Sequence, residues 1–196
     1  PDVTAAKEKE LSKWREFEAS EEVRYTGKEH VLSSRWVITR KSDGSVKARL
    51  VVRGFAEQDY PQSDSPTASN NSLKLFFALA FNELTKVKSM DVTSAFLQGE
   101  PLTRKVFMEP PAELQRDGHI WKLRKSVYGL CDASRIWFQS VKPELIQLGM
   151  KAVSGDEAFF SLVKDGSLVG LCILHVDDFL VAGKPNFLSA LDRQLK

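Results

Sequence analysis

The chain has 196 residues, 42% hydrophobic and 28% charged, an ordinary globular composition with room for one domain or two small lobes. A net charge of +2 does not by itself imply a nucleic-acid partner, and no apolar run approaches the roughly 18 residues of a membrane span. Residues 1–20 are too charged for a secretory signal. The two cysteines, Cys131 and Cys172, lie far apart with no His at zinc spacing, and read as reduced thiols of an intracellular protein.

Leu11, Trp14 and Phe17 stand at helical spacing among Lys and Glu, which predicts an amphipathic helix over 5–19. Residues 36–39 read as a strand, Lys41-Ser-Asp-Gly-Ser45 as a turn, and residues 46–53 alternate, so the whole is expected to be a β-hairpin. Its second strand puts Val46, Ala48, Leu50 and Val52 on one face and Lys47, Arg49 and Arg53 on the other. A polar loop from Tyr60 to Asn71 leads into a helix over 72–84 so rich in Leu and Phe that it is expected to be buried on most sides. Short strands follow at 87–92, 106–108 and 120–123. A helix over 133–148 carries Pro143 as an expected kink or interruption. Residues 158–163 and 168–174 flank the turn Lys164-Asp-Gly166 as a second hairpin, and 176–181 doubles back. Beginning at Pro1 and ending at Lys196 inside a helix-like pattern, the chain reads as a fragment of something longer.

The run Gly170-Leu-Cys-Ile-Leu-His-Val-Asp-Asp-Phe-Leu-Val-Ala-Gly183 poses the chemical question. Asp177 and Asp178 sit in an otherwise apolar segment, and burying an unpaired carboxylate costs several kcal/mol. Either the pair lies at an exposed turn or it faces a cation. Asp91, at another strand end, is the third candidate, and side-by-side strands would gather three mutually repelling carboxylates. Two divalent ions roughly 3.5–4 Å apart would relieve that repulsion and suit phosphoryl transfer. The plainer alternative is a solvated turn with Asp91 as a strand-end cap. His175 shares the face of Asp177 on a simple strand count and reads as a packed ring or a ligand. Arg35, Arg40, Lys41, Lys47, Arg49 and Arg53 oppose a single acid, Asp43, so the first hairpin is either a phosphate-contacting face or a charge-protected edge. Lys122, Arg124 and Lys125 form a second basic cluster with the same two readings. His30 and His119 carry no signal.

Five blocks in order over some 140 residues then resemble the reverse transcriptase of copia-type LTR retrotransposons. They are Val46-Lys-Ala-Arg-Leu-Val-Val-Arg-Gly-Phe55, Met90-Asp-Val-Thr-Ser-Ala-Phe-Leu-Gln-Gly-Glu100, Val106-Phe-Met-Glu-Pro-Pro111, Lys125-Ser-Val-Tyr-Gly-Leu-Cys-Asp-Ala-Ser-Arg-Ile-Trp-Phe138 and His175-Val-Asp-Asp178. The resemblance implies an α+β right-hand polymerase, with fingers, an antiparallel palm sheet backed by helices, and a thumb largely missing. It assigns 1–21 to a helical extension, 22–86 with 101–130 to fingers, and 87–100 with 131–196 to palm. It makes Asp91, Asp177 and Asp178 the catalytic residues and, with Val92, the site of two Mg²⁺ ions, with Mn²⁺ as a substitute. Lys41, Arg49, Phe96 and Gly129 would contact the nucleotide, Phe96 lying under the sugar unless it is simply a core aromatic. Lys47, Arg53 and Arg135 would contact nucleic-acid phosphates. The partners implied are dNTPs, a primed RNA or DNA template, and the rest of a Pol polyprotein with thumb, ribonuclease H and integrase, in cytoplasmic retrotransposon particles and with no membrane.

Two departures stand inside the blocks. His175 replaces the more usual Tyr, and Cys131-Asp132-Ala133 stands where many members carry Lys-Gln-Ser. Three readings follow: an RNA-directed DNA polymerase core, a degenerate element remnant that at most binds nucleic acid, and a metal-dependent phosphohydrolase using the same Asp trio.

Overall fold

The structure is a computed structural model and describes residues 2–58, 62–84 and 86–195. In chain order its elements are α1 (Asp2–Glu16), β1 (Ser20–Arg24), β2 (Val31–Leu32), β3 (Ser34–Arg40), β4 (Val46–Val52), α2 (Asn70–Glu83), β5 (Val87–Asp91), α3 (Ala95–Gln98), β6 (Pro101–Met108), β7 (His119–Lys125), α4 (Ala133–Gln147), β8 (Lys151–Val153), β9 (Asp156–Lys164), β10 (Ser167–His175), β11 (Asp178–Gly183) and α5 (Pro185–Gln194). Two short 3-10 turns lie at Gly54–Ala56 and Ala112–Leu114. This is an α+β chain, as expected. It divides into two units, residues 1–63 with 96–136 and residues 64–95 with 137–196.

In the first unit the amphipathic helix forms as predicted, burying Leu11 and Trp14, and Trp14 packs on Trp121 of β7 with ring centroids 5.9 Å apart. β3 and β4 form the expected hairpin, registered from Ser34↔Val52 to Arg40↔Val46. Its turn is set by Asp43, which accepts from the Ser45 backbone and hydroxyl, and by Gly44 at φ +82°. Ala48, Leu50 and Val52 are buried, so the alternation in the sequence does report the face. A four-stranded sheet runs β1-β7-β6-β2. β1 is not legible in the sequence, because Ser-Glu-Glu-Val-Arg is polar and becomes a strand only through its partner. Glu21 there faces Lys122 and accepts from it at 2.8 Å.

Glu10 is carried into this core on α1, only 8% exposed. Burial pushes its carboxyl above the ordinary 4.5, against the opposing pull of Lys13 and a backbone hydrogen bond from Leu50. Ionising Glu10 is therefore harder in the folded chain than in the unfolded one. Its contribution to stability is whole below pH 4.5 and is lost as pH rises through the raised folded value. A Glu10→Gln chain is accordingly expected to be more stable than the parent at neutral pH and to match it at pH 4. Urea unfolding at the two pH values checks this, and an equal loss at both would refute it.

The second unit is built on a five-stranded antiparallel sheet, β5-β11-β10-β9-β8. The β9–β10 turn is the one predicted, with Asp165 at φ +51° and Gly166 at φ +73°, both in the left-handed region that a two-residue type I′ turn needs. α4 runs without a break through Pro143, where an interruption was expected. Of the loop expected over 60–71, residues 60 and 61 lie outside the described residues, and 62–69 are irregular. The N-terminus of α2 is capped by Ser69, and Asp156 accepts from the Ser69 backbone and the Ser72 hydroxyl.

The expectation that α2 is buried on most sides is corrected. Only the Ser72, Phe76 and Ala80 stripe, continued by Leu84, is buried, with Phe76 and Ala80 meeting Phe159, Leu171 and Ile173 of the sheet. Leu75 is 45% exposed and Phe81 77%. Apolar content reports how many faces a helix is able to bury, whereas one flat sheet covers only one of them. α2 packs within the second unit.

α5 docks through Phe187, whose ring fills the space above Gly170 and Gly183, a registered pair on β10 and β11. A Cβ at either glycine would come within 2.4 Å of the ring. Gly170→Ala is expected to cost about 1–3 kcal/mol through overpacking, and the cost should shrink in a Phe187→Leu background. A double-mutant cycle by urea unfolding reads this, and additive effects would contradict it. Both cysteines are free, and burial pushes the Cys172 thiol far up, leaving it unreactive. Among the described residues no helix is long and apolar enough to cross a membrane.

Candidate active site

The acidic turn lies at one end of the five-stranded sheet. β10 ends at His175 and β11 begins at Asp178, and these two are paired, so Val176 and Asp177 form a two-residue turn. Val176 has φ +59°. A β-branched residue in that region is strained by about 1–3 kcal/mol and persists only where its surroundings fix it. Here the hairpin is registered through every pair from Gly170↔Gly183 to His175↔Asp178. Asp177 is thereby held, half-buried, at the tip of the turn, and Asp178 stands exposed as the first residue of β11.

β5 pairs with β11 so that Asp91 lies directly opposite Asp178. Opposed residues share a face with Cβ atoms about 4.5–5.5 Å apart. His175, Asp178 and Asp91 therefore form one row across three strands. The sequence count had placed His175 with Asp177. The correction follows from the turn, because the two closing residues of a hairpin share a face and the tip residue leaves the alternation.

None of the three carboxylates makes a side-chain hydrogen bond or an ion pair with the described residues. Like charges opposed on a sheet repel, and no cationic side chain relieves them. Among the described residues no three His, Cys, Asp or Glu side chains converge as a ready-made metal cage. The donor set nonetheless fits Mg²⁺, a hard ion that prefers oxygen and usually takes one or two carboxylates, completing its shell with waters and substrate phosphates. Open, unpartnered, exposed carboxylates suit that coordination. Val92 is buried and apolar, so its carbonyl oxygen is all it has to offer a cation.

The remaining predicted residues all lie in the first unit. Arg49 lies over the Tyr128 ring, its Cζ 5.2 Å from the centroid, and its Nε is buried without an acceptor among the described residues. Phe96 is 8% exposed and meets the same ring edge-on, centroids 4.9 Å apart at 76°. Lys41 and Arg53 are exposed, Lys41 at the hairpin turn and Arg53 just past β4. Lys47 and Arg135 are half-buried. Gly129, expected to permit close approach of a nucleotide or template, instead admits the chain's own β4. It has φ +96°, and a Cβ there would lie 1.9 Å from the Val52 carbonyl oxygen.

The second basic cluster is engaged within the chain, Lys122 and Arg124 by an acid and Lys125 by a backbone carbonyl. Glu21 accepts from Lys122 and from Arg124, whose hydrogen bonds hold its carboxyl below the usual range, and Lys125 Nζ donates to the Gly99 carbonyl at 2.7 Å. Sequence reasoning also missed a part-buried ion triad. Arg104 makes bidentate contacts to Asp132, at 2.6 and 3.0 Å, and to Glu57. Asp132, noted above as a departure from the usual motif, thus has a charge partner inside the same unit. The only signal available was an unexplained acid in a family position usually held by Gln. Tyr128 was missed as well, as one more residue of a recognised block.

Residues 19–196 match the family model described as Reverse transcriptase (RNA-dependent DNA polymerase). The chain is 32% identical over 81% of its length to the Retrovirus-related Pol polyprotein from transposon RE2 of Arabidopsis thaliana. It is 34% identical over 78% of its length to that from transposon RE1 of the same plant. Over 81% of its length it is 32% identical to that from transposon TNT 1-94 of Nicotiana tabacum. The matches cover 12%, 11% and 13% of those relatives, so this chain spans a small part of each. A match over nearly the whole chain, with the motif order intact, settles its kinship: the chain belongs to the reverse transcriptase (RNA-dependent DNA polymerase) family, as a domain of the copia type.

Proposed function

We propose that this chain is the catalytic core of an RNA-directed DNA polymerase, adding dNTPs to a primer 3′-hydroxyl with two Mg²⁺ ions held at Asp91, Asp177 and Asp178. The observation that carries the reading is the opposition of Asp91 and Asp178 across β5 and β11, beside the strained turn that presents Asp177. Nothing in the fold needs these charges, since they pair with no described residue and repel each other. On this reading the five-stranded sheet is the palm and the first unit the fingers.

The ions, when bound, would help activate the primer 3′-hydroxyl and steady the triphosphate and the pyrophosphate leaving group. The chain's own residues have separate tasks. Asp91 and Asp177 would be the firmest carboxylate ligands, with Asp178 beside them. The Val92 carbonyl would be an added oxygen donor. Arg49 would contact the triphosphate, and Lys41, at the exposed turn, would reach it as well. Phe96 would lie under the sugar and exclude a ribose 2′-hydroxyl, and Gly129, held against β4, would allow close backbone approach of the nucleotide or template. Lys47, Arg53 and Arg135 would contact template or primer phosphates. Thumb and ribonuclease H functions would come from the remainder of a Pol polyprotein.

The test is incorporation of the complementary dNTP onto a primer annealed to RNA, with Mg²⁺ or Mn²⁺. Template-directed extension is expected. Release of pyrophosphate or phosphate from dNTP with no growth of the primer would favour the phosphohydrolase reading instead.

A further inference from the structure

We propose that Tyr128 is a positioning residue that presets Arg49 and Phe96 for the incoming dNTP, coupling triphosphate affinity to sugar selection. The proposal rests on the polymerase reading above and goes beyond it by giving one ring control of two contacts.

Three features of the first unit carry it. Arg49 makes no hydrogen bond or ion pair with the described residues, and its directional contact is the stacking of its guanidinium on the Tyr128 ring, 5.2 Å from the centroid. A cation over an aromatic face is attracted by the ring quadrupole, and that contact leaves the terminal guanidinium N–H groups, though not the buried Nε–H, unspent for phosphate oxygens. Phe96 abuts the same ring, edge to face at 4.9 Å and 76°. Moving the tyrosine ring therefore disturbs both residues.

The backbone beneath the ring is pinned. The Val52 N–H donates to the Tyr128 carbonyl at 2.9 Å, and the Gly54 N–H donates to the Gly129 carbonyl at 3.1 Å. Gly129 closes this junction at φ +96° with no room for a side chain. The strand that carries Arg49 thus also pins the backbone beneath the ring that orients it. On the other side, Lys125 Nζ donates to the carbonyl of Gly99, just after the helix that bears Phe96. A long arginine side chain loses rotamer freedom when it binds phosphate, and a ring that orders it beforehand lowers that cost.

The experiment is single-nucleotide incorporation by wild type, Tyr128→Phe, Tyr128→His and Tyr128→Leu, each checked for thermal midpoint. Tyr128 is half-buried, so these variants are expected to fold. Tyr128→Leu is expected to raise the dNTP KM by roughly 3–30-fold with a much smaller change in kcat, and to lower the preference for dNTP over rNTP. Tyr128→Phe should restore both quantities, and Tyr128→His should fall between. In an Arg49→Leu background, Tyr128→Leu should add little to KM while still loosening sugar selection.

A folded Tyr128→Leu with unchanged KM and unchanged sugar preference overturns the proposal and leaves the polymerase reading intact. So does a KM effect that is fully additive with Arg49→Leu. Should Tyr128→Leu fold poorly, Tyr128→His carries the same comparison, and a histidine variant identical to wild type in both readouts overturns the proposal too. A wild-type chain that incorporates no nucleotide overturns the polymerase reading, and this proposal with it.

Discussion

Replacing Asp91 by Asn is expected to abolish primer extension, a loss of at least on the order of 10²–10³-fold, while leaving the fold as stable as the parent or more so. The two effects have one cause. Asp91 stands opposite Asp178 on adjacent strands, and neither has a cationic partner among the described residues. Removing one charge relieves a like-charge pair, which the sheet registers as a gain of a few tenths of a kcal/mol. The same removal takes away an oxygen donor to a divalent ion. The parent should therefore gain thermal stability when Mg²⁺ is added, and the Asn chain should gain less. Thermal melts with and without Mg²⁺, run beside extension assays, check both arms. A variant that is destabilised without metal would mean that Asp91 has a structural partner, and the metal assignment would lose its main support.

Gly129→Ala carries the largest expected cost to stability, roughly 3–5 kcal/mol. Two contributions combine. The residue sits at φ +96°, where a side chain costs about 1–2 kcal/mol, and its Cβ would lie 1.9 Å from the Val52 carbonyl oxygen. No rotamer relieves an overlap with backbone, so the Val52–Tyr128 and Gly54–Gly129 hydrogen bonds that stitch β4 to this loop would have to break. Gly118 supplies the comparison: it lies at φ +69° with nothing within 4 Å of its absent Cβ. Gly118→Ala should show only the conformational part, about 1–2 kcal/mol. Urea unfolding of the two variants separates the contributions, and equal costs would refute the steric account.

Where local chemistry decides the outcome, the sequence was legible. Lys-Asp-Gly between alternating runs predicted the β9–β10 turn, and the alternation of Val46 to Val52 predicted which residues of β4 are buried. Asp177 and Asp178 could be named because their charge is out of place in an apolar segment, and Asp91 because it stands at a strand end. What was not legible depends on partners distant in sequence. β1 is a polar segment that becomes a strand only beside β7. The apolar faces of α2 give no hint that one sheet covers only the Phe76 side. The row formed by His175, Asp178 and Asp91 depends on how a two-residue turn resets the alternation, which a count along one strand misses. Arg104 with Glu57 and Asp132, and Arg49 with Tyr128, are side-chain encounters made by the fold rather than by spacing.

The most direct test of the central claim is primer extension on an RNA template with dNTPs and Mg²⁺, comparing the wild-type chain with Asp177→Asn at matched thermal midpoints. The account predicts extension by the first and none by the second. Extension by both would contradict the metal assignment at the β10–β11 turn. Its absence from both, in chains that are folded and bind primer–template, would contradict the claim that these residues form a working polymerase site.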